Sequence, residues 1–359
     1  MLTGNKGEWS EVYTLLKILS DKQLHTGDGN LNKIENLIFP VIKILRDESD
    51  GTHEFSYKND IVVIKNDLEE FRIPVAVFQQ QAVNLLSKIK ESQNRAFSIP
   101  EIESFIKSFN SKSLKASSSA KSDIRIIIHD QRTGATPELG FSIKSQLGSA
   151  STLLNAGKTT NFIYKIVGDS IPKDIENKIN SINTRSKIKD RIENIYLESC
   201  KLEFHSLHNP TFENNLILID SSLPKILSEL LLKYNTLASS KISELTGYLT
   251  EENPLNFNVE SSHPYYEYKI KRFLTDIALG MMPSQVWTGK LDATGGYLVV
   301  KEDGDILCYH IYNRNEFENY LLNNTKLETA SSSRHKFGEI YKVNGDFFFN
   351  LNLQIRFLK

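Results

Sequence analysis

Two alternating runs around a turn, "SDIRIIIHD" and "PELGFSIKSQ" between Ser122 and Gln146, constrain this chain more than any other stretch. Ile124, Ile126 and Ile128 take one side of the first run, Asp123 and Arg125 the other. In the second run Leu139, Phe141 and Ile143 form the apolar side, and Ser142, Lys144 and Gln146 the polar side. The connecting "HDQRTGATPE" contains Gly134 and Pro137, both turn formers. Period-two alternation on both flanks of a turn predicts a pair of strands with one buried face. If the apolar faces coincide, Asp123 and Lys144 share the opposite face. Such a pair is either a plain ion pair or part of a metal-dependent nuclease centre.

The rest of the chain alternates helical and strand periods. "GNKGEWSEVYTLLKILSDKQL" predicts a helix, "NLNKIENLIFPVIKILRDE" an apolar strand, and "HEFSYKNDIVVIKND" a hairpin turning at Lys58–Asp60. "FQQQAVNLLSKIKES" and "PEIESFIKSFN" have helical spacing, the second with Pro100 in a good first-turn position. Ser111 to Ser122 is Ser/Lys-rich and reads as a linker or mobile loop. Strand character returns at Asn161–Val167, followed by helices in "PKDIENKINS" and "SKIKDRIENIYLES" and a strand in "KLEFHSL". "DSSLPKILSELLLKYN" is a further helix capped by Asp220 or Ser221. From Ser261 the composition turns aromatic, and short strands run to "GDFFFNLNLQIRFLK". The order predicts an α/β or α+β fold, a mixed sheet flanked by helices with elaborations at both ends. Four segments are expected: a core helix over 1–24, an inserted α+β region over 25–115, a core over 116–235, and a C-terminal α+β region over 236–359.

Bulk composition narrows the classes. With 40% hydrophobic and 24% charged residues the chain is an ordinary globular sequence. The net charge of -1 does not announce a nucleic-acid partner, so any such surface must be a local concentration of cations. Cys200 and Cys308 alone make no disulfide framework and favour a reducing cytoplasm. The opening residues carry acids where a signal peptide needs an apolar core, and no run reaches the roughly 18 apolar residues of a membrane span. The expectation is a cytoplasmic protein with no membrane partner.

A helical wheel sharpens the first helix. Trp9, Val12, Tyr13, Leu15, Leu16 and Leu19 fill one arc; Glu8 falls inside it and Glu11 at its edge. The helix dipole explains an acid at Glu8, in the first turn. It explains Glu11 less well, and a carboxylate facing a core needs a partner or a metal. Hydrolysing a phosphodiester requires an activated water and neutralised phosphoryl charge. Mg²⁺ supplies both while needing only one or two carboxylates as anchors, and a lysine beside the water can orient or deprotonate it. Asp123, Lys144 and Glu11 make such a set, with Glu8 or Glu138 as assisting acids. Spacing alone carries this weakly.

"SD" followed by "SIK" resembles the PD-(D/E)xK nuclease core, in which an aspartate opens one strand and an acid-x-lysine lies on the next. Ser122 stands where proline is typical, and Ser142 where the second acid is usual, which removes a metal ligand. The resemblance implies that an acid from elsewhere replaces it. "NKGEWSE" is similar to the "KG…E" start of archaeal Holliday-junction resolvases, whose glutamate corresponds to Glu11, four residues after Gly7. Nearly the whole chain resembles HpaII-type type II restriction endonucleases, notably in "GFSIKSQLGSASTLLNA", "ALGMMPSQVWTGKLDATGGYLVVKEDGDILCYH" and "SSSRHKFGEIYKVNGDFFFNLNLQIRF". The resemblance implies Mg²⁺-dependent cleavage of double-stranded 5′-CCGG-3′ with 5′ overhangs. It also implies a cognate methyltransferase and a homodimer or a sequentially nicking monomer.

For reading bases, Arg334, His335 and Lys336 form a basic turn, and Gln354 and Arg356 follow Asn352 on one face of an expected strand. Gln146, Asn155 and Asn161, near the catalytic strand, are further candidates, although structural capping explains Asn155 and Asn161 equally. Arg185, Lys187, Lys189 and Arg191 are candidate phosphate contacts. His205 and His208 lack a completing ligand set and read as structural. Two other readings stay open: a repair or junction-resolving nuclease, and a DNA-binding protein whose nuclease centre is dead.

Overall fold

The structure, a computed structural model, describes residues 2–115 and 122–359, so half of the Ser/Lys-rich segment, 116–121, lies outside the described residues. In chain order it begins with α1 (Lys6–Asp21), β1 (Gln23–Gly27), β2 (Lys33–Glu48), β3 (Gly51–Lys58), β4 (Ile61–Lys65) and β5 (Glu70–Pro74). Then come α2 (Val75–Glu91), α3 (Pro100–Lys107), β6 (Ile124–Ile128), β7 (Glu138–Ser145), β8 (Thr152–Leu154) and β9 (Asn161–Gly168). The middle holds α4 (Lys173–Ser181), α5 (Lys187–Leu197), β10 (Cys200–Leu207), α6 (Pro210–Ile219), α7 (Leu223–Thr236), α8 (Ile242–Glu252) and α9 (Tyr265–Ala278). The chain closes with β11 (Gly296–Val300), β12 (Ile306–His310), α10 (Arg314–Asn323), β13 (Thr325–Leu327), α11 (Ser332–His335), β14 (Ile340–Val343), β15 (Asp346–Asn352) and β16 (Ile355–Phe357).

Two compact units divide these elements. The first takes the chain to Ser151, Leu291–Tyr320 and Lys359; the second takes Thr152–Lys290 and Leu321–Leu358. Both are discontinuous, and they cut the chain differently from the four consecutive segments expected. The reason is long-range pairing: β11 and β12 join a sheet built mainly from the first 145 residues, and local composition does not register that.

In the first unit nine strands make one mixed sheet in the order β1-β12-β11-β7-β6-β2-β3-β4-β5. The β7–β11 and β1–β12 pairings are parallel and the remainder antiparallel. β2 is 16 residues long and pairs with three neighbours along its length. Its first half pairs with β1 and its second with β3 and β6, with Pro40 at the change-over. Three helices supply the core on one face. Trp9, Val12 and Leu16 of α1, Phe78 and Leu85 of α2, and Ile102 and Ile106 of α3 pack with Ile44, Ile126, Leu139 and Phe141 of the sheet.

The second unit carries an antiparallel sheet β10-β9-β15-β14 and a small sheet β13-β16-β8. The aromatic run beyond Ser261 contains a helix, α9, whose Ile270, Phe273, Leu274 and Ile277 recur at helical spacing and are buried. "NLQIRF" is not one strand: β15 ends at Asn352, β16 begins at Ile355, and the two lie in different sheets. Asn352, Gln354 and Arg356 therefore do not form the single row expected. Among the described residues, no helix is long and apolar enough to cross a membrane.

Candidate active site

The expected antiparallel pair forms, with Ile124 opposite Phe141 and Ile126 opposite Leu139. Its last rung is the Asp123 N–H donating to the Phe141 carbonyl at 2.9 Å. Beyond that rung β7 runs on to Ser145 without β6 beside it, while β11 stays parallel on its other flank, Tyr297 facing Ser142 and Val299 facing Lys144. The Ile143 N–H, left without a β6 carbonyl, donates instead to Asp123 Oδ2 at 2.7 Å. The carboxylate thus sits where two strands part, held by the backbone and half-buried.

Ser142 occupies the gap between the two expected catalytic side chains. Its hydroxyl donates to Asp123 Oδ2 at 3.2 Å and accepts from Lys144 Nζ at 3.3 Å. Lys144 Nζ also stands 4.8 Å from the centroid of the Tyr297 ring, a cation–π distance. Burial pushes the Lys144 ammonium below the ordinary lysine range, and the charges of Asp123 and Glu11 oppose that shift. Nothing in the local sequence marks Tyr297: its place follows only from the register of a strand more than 150 residues downstream.

Glu11 lies half-buried on α1. The helix is fixed to β7 beside it by the Ser10 and Ser145 hydroxyls, 2.8 Å apart. The charge of Glu11 acts on Lys144 and also on Arg46, a buried guanidinium whose pKa is lowered chiefly by that burial. Arg46 bonds Ser111 Oγ at 3.0 Å and the Ser113 carbonyl at 2.7 Å, and lies 3.3 Å from Glu48, whose side chain is fully buried. The visible signal for this network was Ile44, Arg46 and Glu48 in alternation, charges at the parity of a core strand.

The two assisting acids have other partners. Glu8 closes the capping box of α1: Asn5 N–H donates to Glu8 Oε2 at 2.9 Å and Glu8 N–H to Asn5 Oδ1 at 3.1 Å. That bond from Asn5 holds the Glu8 carboxyl below its usual range, and Lys115 pairs with it at 3.2 Å. The side chain therefore turns back to the helix end rather than into the apolar arc. Glu138 begins β7, outside the turn, and pairs with Arg125 at 2.6 Å.

The candidate base readers divide by exposure. Gln146 is half-buried, its N–H donating to the Val300 carbonyl at 2.8 Å. Asn155, Arg334 and Lys336 are exposed and His335 is partly so. Asn161 is 1% exposed: its amide nitrogen donates to the His335 carbonyl at 2.9 Å and its oxygen accepts from Asn352 Nδ2 at 2.7 Å. It anchors the basic turn from beneath and is spent in doing so. Gln354 is partly buried, and Arg356 pairs with Glu328 at 2.7 Å. Arg191, expected among the phosphate contacts, is 3% exposed and its guanidinium is bonded to backbone carbonyls. Arg185 beside it is exposed.

Among the described residues no group of three His, Cys, Asp or Glu is poised to hold a metal ion. An all-protein cage of the zinc or calcium kind is therefore not offered by these side chains. What the first unit offers is hard oxygen: the Asp123 carboxylate, the Ser142 hydroxyl and the half-buried Glu11. That suits a cation anchored by one or two carboxylates that keeps its waters.

The comparisons with known proteins agree over the whole chain. The model of the "HpaII restriction endonuclease" family matches residues 5–357. Type II restriction enzyme HpaII of Haemophilus parainfluenzae is 53% identical over 360 aligned residues, covering 99% of each chain. No solved structure matches. The family match from residue 5 to residue 357 and the 53% identity along nearly the whole chain establish that the chain belongs to the HpaII restriction endonuclease family and is a type II restriction endonuclease.

Proposed function

We propose that this enzyme hydrolyses double-stranded DNA at 5′-CCGG-3′ in the presence of Mg²⁺ and leaves 5′ overhangs, using a PD-(D/E)xK-like centre of Asp123, Glu11 and Lys144. The observation that carries the chemistry is the Asp123–Ser142–Lys144 cluster at the point where β6 and β7 part. The specificity is supported by 53% identity to HpaII. Asp123 and Glu11 would hold the metal, with Glu11 in place of the acid absent at Ser142. A bound Mg²⁺ supplies Lewis acidity and lowers the pKa of its water.

The chain's own residues do the rest. Asp123 is aimed by two donors, the Ile143 N–H and the Ser142 hydroxyl, so its carboxylate is already oriented for a cation. Lys144, shielded by the Tyr297 ring, is poised to orient the attacking water or to neutralise phosphoryl charge. Ser142 positions both. In the second unit Asn155, Arg334 and Lys336 are exposed and suited to DNA contact, with His335, Gln354 and Arg356 as further candidates; in the first unit Gln146 is another. A palindromic target fits a homodimer, and self-protection in the host cytoplasm requires a cognate methyltransferase.

Digestion of a sequenced plasmid tests the reading. Mg²⁺ should yield discrete fragments ending at CCGG, chelator should yield none, and a CpG-methylated template should resist. Fragments ending elsewhere would assign a different target, as for a repair or junction-resolving nuclease. Intact plasmid in Mg²⁺ would leave a DNA-binding protein without a working centre.

The depressed Lys144 pKa has a thermodynamic signature. Below its folded pKa the buried ammonium costs stability; as pH rises towards the ordinary lysine value the unfolded chain holds more protons and the cost disappears. Wild type should therefore gain stability relative to Lys144→Met across that alkaline window in urea unfolding. The buried tyrosines pull the other way in both proteins and cancel. Parallel curves would show that Lys144 is solvated like any surface lysine.

A further inference from the structure

A cavity of about 690 Å³ opens in the first unit beside the α1 end of the centre, within the roughly 300–1,000 Å³ typical of ligand sites. Four separate segments build it: the N-terminal half of α1, the loop after α2, the end of β7 with the loop after it, and Lys359. Glu11 is part of its wall and is the only acidic side chain there among the described residues, whereas Lys6, Arg95 and Lys359 are all in the wall. Neither Lys6 nor Arg95 has an ion-pair partner among the described residues.

Two features set this apart from an ordinary solvated cleft. Lys6 is the first residue of α1, so its charge stands against the positive end of the helix dipole, where an acid would be favoured. The capping box of Asn5 and Glu8 already satisfies that helix end locally, so the lysine is not there to complete it. The segment from β7 onward brings Ile143, Leu147 and the small Gly148, Ser149 and Ser151 to the wall. An added Cβ at Gly148 would come within 3.2 Å of Lys6 Cβ, so the loop after β7 passes close to the α1 turn. Cations without ion-pair partners in a cavity that reaches Glu11 fit an anion carried on a chain.

We infer that this cavity receives the DNA backbone, with Lys6 and Arg95 contacting a phosphodiester that flanks the one being cut. The assignment deepens the proposed function and rests on Glu11 belonging to the centre. Phosphate contacts of this kind position the duplex without reading sequence.

The test is salt-dependent binding of two duplexes, one containing CCGG and one scrambled, by fluorescence anisotropy in Ca²⁺ between about 50 and 200 mM salt. Lys6→Ala/Arg95→Ala should weaken binding of both duplexes alike and reduce the slope of log affinity against log salt by about two. Lys58→Ala/Lys65→Ala, which removes two exposed cations at the ends of β3 and β4, neither of them in the cavity wall, should leave the slope unchanged. A wild-type slope in the first variant, or an equal loss in the second, would overturn the assignment. If melting shows the double variant to be unfolded, Lys6→Gln and Arg95→Gln singly should each lower the slope by about one, and an unchanged slope in both overturns it equally. Cleavage by Lys144→Ala separates the two readings: activity there refutes the centre, whereas an inactive Lys144→Ala with an unchanged slope in the cavity variant refutes only the cavity.

Discussion

Lys144→Ala should bind a CCGG duplex in Ca²⁺ much as wild type does and cleave it in Mg²⁺ slower by a factor on the order of 10²–10⁴, the usual contribution of a positioned proton-transfer group. The ammonium is held between the Ser142 hydroxyl and the Tyr297 ring, so water cannot take its place in the same geometry. Lys144→Arg should not restore activity, because a guanidinium does not deprotonate near neutral pH and presents a planar fork to a site built for a compact cation. Asp123→Asn is the matching probe on the other strand. Its amide oxygen still accepts from the Ile143 N–H, so the strand fork survives while the charge that would anchor a cation is lost. Asp123→Ala instead removes the acceptor, leaving that N–H unpaired, and should lower the melting temperature as well as the rate. Single-turnover cleavage and thermal melting together separate these effects. Wild-type cutting by both Lys144→Ala and Asp123→Asn would remove the centre.

The parts of this centre that could be read from the sequence are those that local periodicity controls. Asp123, Ser142 and Lys144 sit on runs whose alternation dictates which side each takes, and the register between them follows from the turn. Glu11 stands out because it sits at the edge of the apolar arc, about a turn past the helix start, where the helix dipole accounts for an acid less well than at Glu8. Tyr297 broke nothing: an aromatic in "GYLVV" is what any buried strand contains, and only a parallel pairing across the chain brings it to Lys144. The same limitation hid the composition of the first unit, since strands β11 and β12 join it from far downstream. Among the candidate DNA contacts, Asn161 and Arg191 are taken up internally, and sequence does not reveal that a backbone carbonyl can consume an asparagine or an arginine. Asn161 and Asn352 bond each other and the chain around them, and Arg191 caps loops rather than phosphates.

That difference is measurable at Arg191, where a scaffold and a phosphate contact predict opposite results. The guanidinium bonds the Gly338 carbonyl, the Asn180 carbonyl at 2.5 Å and the Ile182 carbonyl at 2.8 Å, joining the end of α4 to the loop that enters β14. Gly338 holds φ +81, and an added Cβ would meet Ile188 Cδ1 at 2.1 Å, so this loop has little freedom to move aside. The Asn180 amide ties the same junction from the other side, exchanging two 2.8 Å bonds with the backbone of Ile340. Removing the guanidinium strands three carbonyls where water has little access, at roughly 1–3 kcal/mol for each group left unpaired. Arg191→Ala should therefore destabilise the second unit by about 3 kcal/mol or more and lower its melting temperature by roughly 5–10 °C. Arg191→Lys should recover little of this, because one ammonium cannot span three carbonyls fixed by separate segments. Below the melting transition the salt slope of DNA binding should be unchanged in either variant, whereas Arg185→Ala, exposed beside it, should reduce that slope by about one if the segment meets phosphate. A stable Arg191→Ala protein with a smaller salt slope would reverse the assignment and return Arg191 to the DNA-binding surface.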